Sequence, residues 1–241
     1  MSTLARYMFI LRYLEFLQSC GVLDPARYTN AMGAAYINSN RAYHNHTHIL
    51  FMLDKLTSDI NQNKIELNDW ERKTVIMAIW WHDFVYDPQS KDNEIQSIAA
   101  WEQFVDQVAQ ESSALLSFKT PVSLLINCTI THTVPSTAED LWLSDLIVSY
   151  FLDLDLAILA TERVVYQAYA EGIRNEYISY TIEDYRKGRV AVLKGFLERE
   201  NIFLMSGIEG KVESMRDMEK RARNNIGWEV GELEAGRLPE R

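Results

Sequence analysis

The sequence predicts an all-α fold, a single helical bundle over residues 1–228 with residues 229–241 as a frayed tail. Three observations carry that prediction. Apolar residues recur at helical spacing along nearly the whole chain. Ten Gly and five Pro in 241 residues are few, which favours long helices over turn-rich β structure. No internal repeat, low-complexity segment or linker-like stretch breaks the pattern, so one domain is expected.

The first helix is expected from Leu4 to Cys20, with Leu4, Tyr7, Met8, Leu11 and Leu14 as its apolar face and Gly21 as its stop. Asp24-Pro25 then reads as a helix start, Asp as the cap and Pro in the first turn, for a helix running to about Ile37. A third helix begins near Thr47 or His48 and carries Ile49, Met52, Leu53 and Leu56. Asn68-Asp69 caps a fourth, which runs through Val75, Ile76, Ile79 and Trp80 into His82. Asp87-Pro88-Gln89-Ser90 is a loop, followed by helices from Asn93 to about Gln110 and from Pro121 to His132. Pro135-Ser136-Thr137 ends the latter. One or two apolar helices span Asp140 to Leu159, a helical pair covers Thr161–Ser179 and Ile182–Arg199, and a charged helix runs from Ile208 to Asn225.

Composition narrows the function. A net charge of −10 argues against a protein that coats DNA or RNA, which needs a basic footprint. A small phosphorylated substrate stays open, because a bound cation can offset local repulsion. Cys20 and Cys128 are too few and too far apart for a disulfide framework or a zinc ribbon, which fits a reduced, cytoplasmic setting. The apolar run Tyr7-Met8-Phe9-Ile10-Leu11 is flanked by Arg6, Arg12 and Glu15, so neither a signal peptide nor a membrane span is expected.

The histidines are the informative feature. Four of five lie in two short clusters, Tyr43-His44-Asn45-His46-Thr47-His48 and Trp80-Trp81-His82-Asp83. Imidazole and carboxylate are the usual ligands of a hydrolytic divalent metal. His48 opens one helix, His82-Asp83 closes another, and Asp153 lies in an apolar run where an uncompensated carboxylate is costly to bury.

The order His48, His82-Asp83, Asp153 on consecutive helices resembles the HD superfamily of metal-dependent phosphohydrolases. The match extends to Arg41-Ala42-Tyr43-His44-Asn45, to Trp81 through Pro88, to Asp92-Asn93-Glu94 with Ser97, to Leu152 through Leu159, and to Tyr185, Gly188 and Arg189. It covers nearly the whole chain and resembles a subgroup of unsettled substrate. The resemblance implies an HD-type bundle with His48, His82, Asp83 and Asp153 as metal ligands. His44 competes with His48, and Asp155 with Asp153, since positions two apart on a helix point differently. It implies one divalent ion, with manganese, cobalt, magnesium, nickel, zinc and iron undistinguished, and a second ion if His44 and His132 also bind. Asp87, or alternatively Glu94, is the candidate carboxylate for proton transfer. Arg41, His44, His132 and Arg189 are the candidates for contacting the substrate, a small phosphate ester and by preference a nucleotide. A catalytically silent metal or nucleotide sensor and a di-iron oxygenase are the alternatives.

Plainer roles compete for several of these residues. His46 reads as a surface residue and His132 equally as a helix cap. Asp92 reads as an N-cap, Trp80 and Trp81 as core and pocket wall, and Trp142 as core. The oligomeric state is open, with the first and last helices as candidates for pairing.

Overall fold

A computed structural model describes residues 3–38, 40–135, 143–207 and 213–238. Among them lie ten α-helices, three short 3-10 turns and no strand, so the fold is all-α. No helix among the described residues is long and apolar enough to cross a membrane. The chain divides into two compact units, Met1–Phe151 and Leu152–Arg241. The sequence carries no linker there, because the division falls inside a helix.

The first unit holds α1 (Thr3–Ser19), α2 (Ala26–Tyr36), α3 (His46–Asn61), α4 (Asp69–Trp81), α5 (Asn93–Ala109), a 3-10 turn (Ser113–Phe118), α6 (Lys119–Cys128) and most of α7 (Asp145–Leu156). Helix α4 starts where the sequence predicts. Asn68 accepts the Glu71 N–H while the Glu71 carboxylate accepts the Asn68 N–H, a reciprocal cap worth about 1 kcal/mol. Helix α3 is capped by Asn45, whose side-chain oxygen accepts the Thr47 N–H at 2.8 Å, and it buries Ile49, Met52, Leu53 and Leu56 as expected. Helix α2 departs from expectation at its start: Pro25 occupies the cap position, with no side-chain cap, so Asp24 does not cap it.

Helix α1 buries a different face from the one expected. Phe9, Tyr13 and Leu17 are buried, whereas Leu4, Tyr7 and Met8 are 69%, 61% and 46% exposed. The helix is apolar on more than one side, and the buried stripe is the one that meets aromatic partners. Phe9 packs edge-on against Tyr36 at 5.8 Å and Trp80 at 5.0 Å, and Tyr13 lies 5.0 Å from Trp80. Gly21, at φ +82°, ends the helix as predicted. Helix α6 stops at Cys128, four residues short of His132. His132 instead takes a left-handed conformation, φ +52°, with its N–H on the Cys128 carbonyl at 2.8 Å. Trp142 lies outside the described residues.

The second unit begins with the end of α7, followed by a 3-10 turn (Ala157–Ala160), α8 (Arg163–Glu176), α9 (Ile182–Glu198), a 3-10 turn (Leu204–Gly207) and α10 (Glu213–Glu234). Helix α10 packs on α8, α9 and both turns. Its Asn225 amide donates to the Leu159 and Thr161 carbonyls at 2.9 Å each. The expected frayed tail over 229–241 is corrected here: α10 continues to Glu234. Ile226, Val230 and Leu233, spaced four and three apart, give it a buried face that holds it in place.

Candidate metal centre

Three residues of the first unit converge on one point. His48 sits in the opening turn of α3, His82 caps the C-terminus of α4, and Asp83 follows it. The His48 and His82 Nε2 atoms are 3.2 Å apart. Asp83 Oδ2 lies 3.1 Å from His82 Nε2 and 3.6 Å from His48 Nε2. Both histidines are buried, at 2% exposure each, and the Asp83 side chain is 18% exposed.

The orientation of each ring follows from its other nitrogen. His82 Nδ1 lies 3.0 Å from the Ile79 carbonyl, an acceptor only, so Nδ1 carries the proton and donates. In the neutral ring Nε2 then presents a lone pair to the centre. His48 Nδ1 lies 3.0 Å from the Tyr43 hydroxyl, which can donate or accept and so serves either tautomer. Asp83 Oδ2 is buried without a hydrogen-bond partner. Burial raises the Asp83 carboxyl, but the positive charge that the His82, His44 and His48 rings carry when protonated outweighs it and holds the group below the usual carboxylate range.

This donor set fits a cation. From these three separations, a point equidistant from the atoms lies no closer than about 1.9 Å to each. The usual ~2.0–2.2 Å metal–ligand distance for imidazole and carboxylate therefore falls just off their plane. The His48-His82-Asp83 group can hold a metal ion.

The backbone after His82 has no regular structure, and side chains from other elements hold it. Arg41, 8% exposed, donates from Nη1 to the Asp83 carbonyl at 2.6 Å and the His44 carbonyl at 3.2 Å, and from Nη2 to the Phe84 carbonyl at 2.8 Å. Its guanidinium also lies over the rings of Tyr36 (5.1 Å) and Tyr86 (5.5 Å). Ser97 of α5 accepts the Val85 N–H at 3.0 Å and lies 3.3 Å from the Val85 carbonyl. Asn93, the first residue of α5, closes a reciprocal pair with the Asp87 N–H and C=O, both at 2.9 Å. Arg41 thus joins the two histidine motifs to each other, and α5 holds the exit from the second.

The other expected residues are placed as follows. His44 is half-buried, stacked on Tyr86 at 4.2 Å with its ring 6.0 Å from that of His48. His46 is corrected from surface to core: it is 4% exposed, edge-on to Phe9 at 5.9 Å, and burial lowers its pKa. Asp87 is exposed and accepts the Gln89 N–H at 2.9 Å, as a turn residue does. Glu94 is half-buried in the first turn of α5. Asp92 occupies the N-cap position of α5 but makes no side-chain cap bond; Ser90 Oγ donates to its carboxylate instead. His132 follows α6 and is not part of the His48-His82-Asp83 group.

Asp153 and Arg189 belong to the second unit. The Asp153 carboxylate accepts two backbone N–H groups, Leu204 at 2.7 Å on Oδ1 and Met205 at 2.9 Å on Oδ2. Asp155 is half-buried on the same helix. Arg189 makes a two-pronged ion pair with Glu229, Nε–Oε1 2.8 Å and Nη2–Oε2 3.1 Å, and Tyr166 donates to the same carboxylate at 2.5 Å. Glu229 is fully buried, so this arginine is committed to its partner. Sequence reasoning gave no role to Tyr43 or Ser97 beyond membership of a motif. A signal for Tyr43 was its position five residues before His48, whereas nothing local marks a serine that binds twelve residues back.

Compared with protein-family models, curated proteins and solved structures, the chain finds no match. The site's own chemistry carries the functional argument.

Proposed function

We propose that this chain is a metal-dependent phosphohydrolase of the HD type, acting on a small phosphate ester, by preference a nucleotide. The observation that carries the reading is the buried, unpartnered Asp83 Oδ2 beside two imidazole Nε2 atoms at 3.1 and 3.6 Å. His48, His82 and Asp83 would hold a divalent cation there, and such an ion would supply an acidified water and polarisation of a phosphoryl group. The protein's own residues do the rest. Ile79 and Tyr43 orient the two rings, and Arg41 positions Asp83 through its backbone. Glu94 is favoured over Asp87 for proton transfer, because the Asp87 carboxylate holds a turn. His44, Tyr43 and Tyr86 supply aromatic surface beside the centre, which suits a nucleobase.

The test is metal content of the purified protein, with phosphate release screened over nucleotides and sugar phosphates with added manganese, cobalt, magnesium or nickel. His82→Ala and Asp83→Ala should each lose bound metal and turnover while keeping their helical circular dichroism. Undiminished phosphate release by either variant refutes the mechanism. Two irons per chain without phosphate release would favour the oxygenase instead.

A further inference from the structure

In the second unit a cleft of about 480 Å³ opens between α10 and residues 201–206, lined by Asn201, Ser206, Arg216, Glu219, Lys220, Arg223 and Asn224. Arg216, Lys220 and Asn224 lie four residues apart, on one face of α10. The charges lining the cleft do not cancel. Glu219 is consumed by the Ile202 and Phe203 N–H groups and by Arg223 Nε at 2.7 Å. Arg223 in turn donates to the carbonyls of Leu197, Arg199 and Glu200 at the end of α9. That pair is internally neutral. Arg216 and Lys220 form no ion pair with another described residue, and both line the cleft in a chain of net charge −10.

Four backbone N–H groups beside the cleft are already committed. The N–H groups of Ile202 and Phe203 are held by Glu219, and those of Leu204 and Met205 by Asp153. The Ser206 hydroxyl donates to the Phe203 carbonyl at 2.6 Å. Recognition therefore falls to the Arg216 guanidinium, the Lys220 ammonium and the carboxamides of Asn201 and Asn224. The Asn201 amide is seated over Gly207, where a Cβ would lie 3.2 Å from its Nδ2. Two cations and two amides around a cleft of ligand size form a receptor for a phosphate group carried on a small molecule. We infer that this cleft binds a small phosphorylated ligand through Arg216 and Lys220, at a site composed wholly of second-unit residues.

The test uses the full chain and inorganic pyrophosphate as the probe, followed by isothermal titration calorimetry. Pyrophosphate should bind the wild type with an affinity that falls as salt rises, and Arg216→Ala/Lys220→Ala should weaken it by roughly tenfold or more. His82→Ala should leave this binding intact, and so should Arg221→Ala, an exposed charge on α10 that does not line the cleft. No binding by the wild type overturns the inference. So does loss of binding in His82→Ala alone, which would place the anion at the metal centre, or an equal loss in Arg221→Ala, which would mean unspecific attraction. The proposed hydrolase activity can fail independently of these outcomes.

Discussion

Replacing Arg41 separates two roles that the same guanidinium could play. As a substrate-binding group, its loss would raise KM and leave stability alone. The geometry predicts the reverse. Three carbonyls, those of Asp83, Phe84 and His44, accept from it at 2.6, 2.8 and 3.2 Å, and its side chain is 8% exposed. Each hydrogen bond to a charged group contributes about 1.5–3 kcal/mol, so full loss of three sets an upper bound of about 5–9 kcal/mol. Asp83, Phe84 and His44 are all part-exposed, so water can reach some of these carbonyls after truncation. A net cost of about 2–4 kcal/mol for Arg41→Ala is then reasonable. At about 2–4 °C per kcal/mol for a chain of this size, Tm should fall by roughly 5–15 °C. Metal retention should fall with it, since the Asp83 carboxylate is aimed through the backbone that Arg41 holds. Arg41→Lys should recover only part of both losses, because an ammonium cannot span two carbonyls as a planar fork does. The assays are a thermal melt and metal content after dialysis. A variant that melts within about 2 °C of wild type and keeps its metal, while losing only substrate affinity, would refute the clamp.

Further outcomes follow from the same contacts. Tyr43→Phe removes the hydroxyl 3.0 Å from His48 Nδ1 and should weaken metal affinity by about 10–100-fold with Tm nearly unchanged, read by competition with a chelator. Ser97→Ala leaves the Val85 N–H without its acceptor and should cost about 1–3 kcal/mol in a urea melt; a variant as stable as wild type would show that water replaces the hydroxyl. Arg189→Ala leaves the fully buried Glu229 without its ion-pair partner and should cost about 3–5 kcal/mol, whereas Arg189→Met combined with Glu229→Leu should recover part of that loss, the rest being held back by the Tyr166 hydroxyl left without its acceptor. If the double substitution is no better than the single one, the pair contributes more than charge compensation.

How legible the molecule was depended on how local each signal is. The cap of α4 follows from residues within a few positions of each other and is readable, whereas the Asn45 cap of α3 goes unnamed and the pairing of His48 with His82-Asp83, 34 positions apart, is reached only through the family resemblance. The buried face of α1 is not readable, because Leu4, Tyr7 and Met8 are as apolar as Phe9 and Tyr13, and only the rings of Tyr36 and Trp80 choose between them. His46 misled for the same reason: its burial comes from Phe9, thirty-seven positions earlier in the chain. The end of α10 was misjudged because its few apolar residues are diluted by charge, and spacing outweighs their number. Arg41 shows the limit most clearly. Its type suggested phosphate binding, while its place in the fold gives it to carbonyls some forty residues away.

The way residues 83–87 are held bears on transplanting this centre. Copying His48, His82 and Asp83 onto two helices of another scaffold would reproduce the donors without their aim. The smallest transferable unit also includes Arg41, Asn93 and Ser97, drawn from the loop before α3 and from the start of α5, with Tyr43 to set one ring. A designer would therefore need α3, α4 and α5 together with the loop before α3 and the loop between α4 and α5, and would find those two loops harder to replace than the helices.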